Sequence, residues 1–306
     1  MLSKLGSSLL VLDAGNALFG PSSGPGKKER DRAVFIANTM GKLGTRAMAA
    51  GHKDLWAGVG FLEETAKKAS VPVLSANLKV NDKPKFPGSL VVTVDGIKVG
   101  IIGVSPPGPV PSLQGVVGAP TAQAVKDELK KLPADVQLKV VLAATRYGDA
   151  MDLAGQLKGS VDLILQSGDS HPGALQPINH NYLAAAGDRG RWVQVMTLKV
   201  DGTGDFENLD DAERAKELLT RAEQNLAQLQ ERRKAADGEW ARQQLEQTIA
   251  EMTSRRDDLK KQVGKSTAKT ARTISSRTQN LDPAVGEDPE LLKQVQVIEP
   301  PGAAAH

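Results

Sequence analysis

Over the first two thirds of the chain, apolar positions fall in short unbroken runs that end in turn residues. SLLVLDAG (Ser8 to Gly15), VPVLSANLKV (Val71 to Val80), VQLKVVLAA (Val136 to Ala144) and VDLILQSG (Val161 to Gly168) are of this kind. Such runs predict strands buried on both faces. GSLVVTVDGIKVGIIGV adds two β-rich runs around Asp95-Gly96, which predicts a hairpin because glycine relieves the positive φ of a tight turn. Between the runs, Ala33 to Ala50, AQAVKDELKKL with Thr121 as its N-cap, and DAMDLAGQLKG ended by Gly159 read as helices. YLAAAGDRGRWVQVMTLKVDG predicts two further strands around its Gly-Asp-Arg-Gly turn. SPPGPVPSLQGVVGAP carries too many prolines for regular structure and reads as an excursion loop. Strand, helix, strand in succession argues for an α/β sandwich.

At Asn208 the period changes. Ala212, Ala215, Leu219, Ala222, Leu226 and Leu229 recur at steps of three and four. After Gly238 the stripe resumes at Leu245, Ile249, Met252, Arg256, Leu259 and Val263. This is the a/d pattern of a coiled coil, and it predicts an antiparallel helical hairpin with arms of ~40 Å. The expected organisation is therefore a sandwich over residues 1–207, the hairpin over 208–264, a returning segment over 265–296 and a tail over 297–306.

The chain has 306 residues, with 39 Lys and Arg against 36 Asp and Glu. That excess is small and forms no basic tract, so nucleic-acid binding is not expected. The absence of cysteine excludes disulfides, thiolate metal sites and cysteine nucleophiles from this chain. No apolar run approaches the ~20 residues of a membrane span. Asp13 interrupts the first apolar stretch, so residues 1–20 do not read as a secretory signal, and direct membrane insertion is not expected.

Six segments in order carry a specific resemblance: LLVLDAGNALF, AMAAGHKDLWAGVGFLEE, VPVLSANL, DGIKVGIIGVS, VDLILQSGDSH and AAAGDRGRWVQVMTLKVDG, followed by LDPAVGEDPELLKQV. Together, over residues 8–207 and 270–296, they resemble the secreted 5′-nucleotidase branch of the calcineurin-like metallophosphoesterases. The resemblance implies a two-sheet α/β/β/α metallophosphoesterase-type sandwich, here interrupted by the hairpin. It also implies a centre of two divalent metal ions that bind phosphate and activate water. The family's ligands lie at the ends of successive strands, as Asp-x-His, Gly-Asp, Gly-Asn-His-Glu, a lone His and Gly-His-x-His.

Against that pattern this chain is depleted. No Asp-x-His precedes Leu9, and the Gly-Asp step is Gly15-Asn16, whose neutral amide cannot bridge two cations. Gly-Asn-His-Glu aligns with Gly58-Val59-Gly60-Phe61, and the lone His falls near Thr145 or Arg146. The last motif leaves Gly168-Asp169-Ser170-His171. Asn16, Val59, Gly60, Asp169 and His171 are thus vestigial metal positions, and no bound metal is expected. Asp169 reads as a polar loop residue bonding its own backbone rather than as a ligand. His52, Lys53 and Arg146 are candidate anion contacts, although surface cations of this kind are usually solvated. Trp240, beside Gly238 at the hairpin tip, is the candidate partner contact.

The expectation for function is a degenerate, catalytically inactive nucleotidase-like domain. It would serve binding or assembly in a larger periplasmic or cell-envelope protein, with a protein partner or a second copy engaged through the hairpin. Two alternatives stay open. One is a metal-dependent phosphohydrolase with two divalent ions whose first strand lies outside this chain. The other is a structural module positioning a fused domain.

Overall fold

The computed structural model describes residues 8–20, 25–111, 113–169, 175–185, 187, 191–265, 272–281 and 285–299. In chain order the elements begin with β1 (Val11–Asp13), α1 (Lys27–Lys42), β2 (Thr45–Ala49), α2 (Val59–Lys68), β3 (Val73–Leu74), β4 (Leu78–Val80) and β5 (Lys83–Pro84). Next come β6 (Ser89–Val94), β7 (Ile97–Val104), β8 (Gly108–Pro109), β9 (Val116–Gly118), α3 (Thr121–Leu129), β10 (Leu138–Ala143) and α4 (Tyr147–Leu157). The chain continues through β11 (Leu163–Gln166), β12 (Gln176–Ile178), β13 (Asn181–Ala185), β14 (Trp192–Val200) and β15 (Glu207–Asn208). It ends with α5 (Asp210–Ala235), α6 (Glu239–Lys265), β16 (Arg272–Asn280) and α7 (Pro289–Ile298). The chain divides into two compact units, Met1–Val195 with Arg277–His306, and Met196–Ser276.

The first unit is a mixed α/β fold. Its main sheet runs β12-β13-β11-β10-β7-β6, with β7, β10, β11 and β13 parallel and antiparallel strands at both edges. Buried apolar strands on neighbouring parallel positions need cover on both faces. One face packs Ile102, Val104, Val141 and Ile164 against α3 and α4 through Val125, Leu153 and Leu157. The shorter parallel sheet β1-β2-β3 shares a second core with α1 and α2, built on Leu18, Met48 and Leu62. The hairpin at Asp95-Gly96 forms as its residues require, both at positive φ (49° and 79°) between paired Val94 and Ile97.

Four features depart from the apolar pattern. The expected helix over residues 33–50 stops at Lys42; Gly44 turns at φ 74°, and Thr45–Ala49 become β2, whose side chains are almost all buried. The proline-rich stretch contributes β8 and β9 to a separate sheet, β5-β4-β9-β8. Pro109 is tolerated there because β8 is an edge strand, which does not require a ladder donor at every residue. Thr121 is the first helical residue and Pro120 holds the N-cap position of α3. Among the described residues the strands form four sheets rather than two.

In the second unit, α5 and α6 pack along the striped positions. Ala215, Ala222, Leu226 and Leu259 are buried, while Leu219, Leu229, Leu245, Ile249, Met252, Arg256 and Val263 are half-buried. Ion pairs Arg233–Glu246 and Lys260–Glu223 (the latter 3.4 Å) join residues near the turn and residues farther from it, which fixes the helices antiparallel. Polar Arg272–Asn280, which carries no strand-like apolar run, forms β16 between β14 and β15.

Candidate functional site at the strand ends

Parallel strands deliver their carboxyl ends to one side of a sheet, where open α/β folds place their sites. Here the ends of β1, β2, β10 and β11 are drawn together by one turn, Asp13-Ala14-Gly15-Asn16. Gly15 adopts φ 95°, and a Cβ on it would lie 2.6 Å from the Ala49 carbonyl oxygen and 2.9 Å from the Ala144 Cβ. Only glycine allows β1 to end so close to its neighbours. Asn16 follows at φ 62°, a conformation Asn tolerates better than most residues. Its Oδ1 accepts from the Lys53 amide (3.2 Å), and its Nδ2 faces the Ala144 and Ser167 carbonyls (both 3.5 Å) and the Ser167 hydroxyl (3.4 Å). Ser167 in turn donates its hydroxyl hydrogen to the Ala14 carbonyl at 2.7 Å.

Beneath this turn lies Asp54, fully buried. Its carboxylate accepts from the amides of Asn16 (2.7 Å), Gly51 (2.9 Å) and Leu18 (3.0 Å), with Ala17 as a further amide partner. Burial pushes its pKa up and those amides pull it down. Asp13, partly buried beside it, is pushed up to about 7 by desolvation and by the Asp54 charge, against the pull of the Gly15 amide. Four amides favour the ionised form of Asp54 against the effect of its burial.

The folded-state pKa of Asp13 lies above its ordinary value of 3.8, so the fold is favoured while the proton is bound. Stability contributed by Asp13 is complete below about pH 4 and is lost as pH rises to about 7. His52 works in the opposite sense, because burial lowers its pKa and disfavours the imidazolium. The Asp13→Asn variant is expected to lose less thermal stability than the wild type between pH 4.5 and 7.5, read as the difference in Tm; parallel curves for the two proteins would refute it.

The residues singled out in the sequence scatter around this centre. Asn16 stands in the middle of it. Val59 and Gly60 open α2, where Val59 packs on the second core and Gly60 is exposed; the bonds to Asn16 involve Lys53 and Asp54 instead. His52 is half-buried, and its Nε2 is buried with no hydrogen-bond partner among the described residues. Lys53 is half-buried and Arg146, at the N-cap position of α4, is exposed. Asp169 accepts from the Tyr147 amide (2.8 Å) and from Gln166 Nε2 (2.7 Å), so it caps α4 as a loop carboxylate does. His171 lies outside the described residues. Trp240, the second residue of α6, is 76% exposed.

Asp13, Gly51, Asp54 and Ser167 are the site residues that sequence reasoning missed. The signal in the sequence is a glycine followed three positions later by an acid; that they stand after a strand is visible only in the fold. Among the described residues no group of three or more His, Asp or Glu side chains is placed to hold a metal ion. The donors at the strand ends do not fit a pair of divalent cations either. Asn16 offers a neutral amide, Lys53 and Arg146 bring positive charge, and the Asp54 carboxylate is saturated by backbone amides.

No family model matches this chain, and no curated protein does. Solved structures do. The sulfate thiohydrolase SoxB of Thermus thermophilus, solved in complex with glycerol, matches at 22% identity and a TM-score of 0.52, over 63% of this chain and 36% of that one. A 5′-nucleotidase precursor, also from Thermus thermophilus, matches at 24% identity and a TM-score of 0.52, over 64% of this chain and 43% of its own. The calcineurin-like phosphoesterase YfkN of Bacillus subtilis matches at 20% identity and a TM-score of 0.51, over 63% and 72% respectively. This chain therefore spans under half the length of the first two. Among the described residues no helix is long and apolar enough to cross a membrane. These likenesses lead to one conclusion: the chain has the fold of the calcineurin-like phosphoesterases and 5′-nucleotidases.

Proposed function

We propose that this is a degenerate 5′-nucleotidase-like domain that hydrolyses no phosphate ester and serves binding or assembly within a larger periplasmic or cell-envelope protein. The carrying observation is the segment Gly51-His52-Lys53-Asp54, which follows β2 one residue after its end. Because the resembled family places its ligands at strand ends, this segment, and not Gly58 to Phe61, takes the place of Gly-Asn-His-Glu. Lys53 then stands for the histidine, and an ammonium neither binds a cation nor passes protons as an imidazole does. Asp54 stands for the glutamate, and its oxygens are spent on backbone amides. In this reading α5 and α6 form a coiled-coil insertion whose tip presents Trp240 to a protein partner or a second copy. An exposed aromatic of this size suits a docking anchor.

The purified chain, supplied with Mn²⁺ or Zn²⁺, is expected to release phosphate from AMP and p-nitrophenyl phosphate no faster than buffer, and to carry less than one transition metal per chain. Two metals per chain with turnover would favour the phosphohydrolase alternative. In a pull-down from native extract, Trp240→Ala is expected to lose partners that Asp169→Ala keeps; the reverse pattern would place the binding surface at the strand ends.

A further inference from the structure

The Asn16 carboxamide meets opposite demands at its two ends. On one side the Lys53 amide donates, so an oxygen is required there. On the other side Nδ2 faces the carbonyl oxygens of Ala144 and Ser167 and the Ser167 hydroxyl oxygen. Ser167 has already committed its hydroxyl hydrogen to the Ala14 carbonyl, so it presents a lone pair to Asn16. Three acceptors therefore converge on Nδ2, and only a donor satisfies them. The carboxamide is also packed in place. A Cβ on Gly51 would fall 2.5 Å from the Asn16 Cγ and 2.7 Å from its backbone nitrogen, so the glycine backbone lies directly against it.

We infer that Asn16 is a positioning residue which fills the place of a bridging cation and latches the ends of β1, β2, β10 and β11 without one. This rests on the non-hydrolytic reading above and goes further: the cleft is not an emptied metal site awaiting its ions but a different, closed construction. Restoring the acidic side chain that the resembled family carries here does not restore a metal site. It sets an oxyanion against three acceptors and adds a negative charge beside Asp54 and Asp13, where each unit of buried charge is poorly screened.

The test compares Asn16→Asp with Asn16→Gly in the full chain, by thermal unfolding at neutral pH with EDTA and again with excess MnCl₂. Asparagine and aspartate carry the same positive-φ strain, so Asn16→Asp against wild type isolates the added charge, while Asn16→Gly also relaxes that strain. Asn16→Gly loses the side-chain bonds, whereas Asn16→Asp is expected to lower Tm further, by about 5 °C relative to wild type, with no recovery in Mn²⁺. An aspartate variant as stable as the glycine one, or one raised to wild-type Tm by Mn²⁺, would overturn the latch. If Asn16→Asp fails to fold, Asn16→Gly carries the test through hydrogen exchange at the Lys53 amide, expected to quicken about tenfold; an unchanged rate would overturn it. Phosphate release by the wild-type chain would sink the non-hydrolytic function yet leave this order of stabilities standing.

Discussion

Asp54→Ala is expected to destabilise the chain by about 4 kcal/mol, because amides buried around the carboxylate lose their acceptor at a cost of ~1–3 kcal/mol each before water partly compensates. The amides belong to Asn16, Ala17, Leu18 and Gly51, so one side chain fixes both the turn after β1 and the loop after β2. The first of these carries Leu18 and Phe19 into the core, where Phe19 meets the Phe61 ring at 5.9 Å. Losing Asp54 therefore loosens apolar packing as well as hydrogen bonds. Asp54→Asn is not a rescue, since half of its amide would present hydrogens to the backbone N–H donors. Thermal unfolding of both variants checks this: a fall in Tm of about 10 °C is expected for Asp54→Ala. The pH dependence assigned to Asp13 should shrink with it, because the neighbouring charge is gone. A change of under 2 °C, roughly half a kcal/mol, would show that the carboxylate is dispensable.

Local patterns made much of this fold legible. The turn at Asp95-Gly96 follows from two residues, and the stripe on α5 and α6 names the positions that are withdrawn from solvent. The elements that escaped are those whose stability is not local. β16 is a polar Arg272–Asn280 strand held by its neighbours β14 and β15, and β8 exists only because β9 lies beside it. β2 hid within a helical stretch because its alanines suit either state until Gly44 is seen to turn.

The site was legible in part for the same reason. Asn16 could be picked out as a neutral residue at a strand end, but what it does depends on Lys53, Ala144 and Ser167, the last 151 residues away. Asp54, inside a charged Gly-His-Lys-Asp run, carries no local mark of burial; only its backbone partners 36 and 38 positions earlier reveal it as interior. The proposed assignment moves the family's Gly-Asn-His-Glu from Gly58 to Phe61, where α2 begins, to the segment that follows β2.

Where chains cross without room for a side chain, the expected cost approaches that at Asp54. Gly103, in β7, approaches the end of β3 so closely that a Cβ would lie 2.5 Å from the Leu74 carbonyl oxygen, 2.6 Å from its Cβ and 2.7 Å from its carbonyl carbon. None of these atoms can swing aside: two are backbone, and Leu74 is itself buried. Gly103 also donates to Gly88 and accepts from Ala76 at 2.8 Å, while pairing with Leu142 in β10. Shifting β7 to admit a methyl group would disturb all three. Gly103→Ala is expected to cost about 3 kcal/mol, at the upper end of the range for overpacked cores, and Gly103→Val more. Gly155 is the matched control. It lies within α4 with open space where its Cβ would be, so Gly155→Ala is expected to be neutral or to stabilise by up to ~1 kcal/mol through helix propensity. Urea unfolding of the two alanine variants decides the matter. Equal midpoints would mean that β3 and β7 can move apart freely, and that the close crossing beside the strand-end site contributes nothing to holding it.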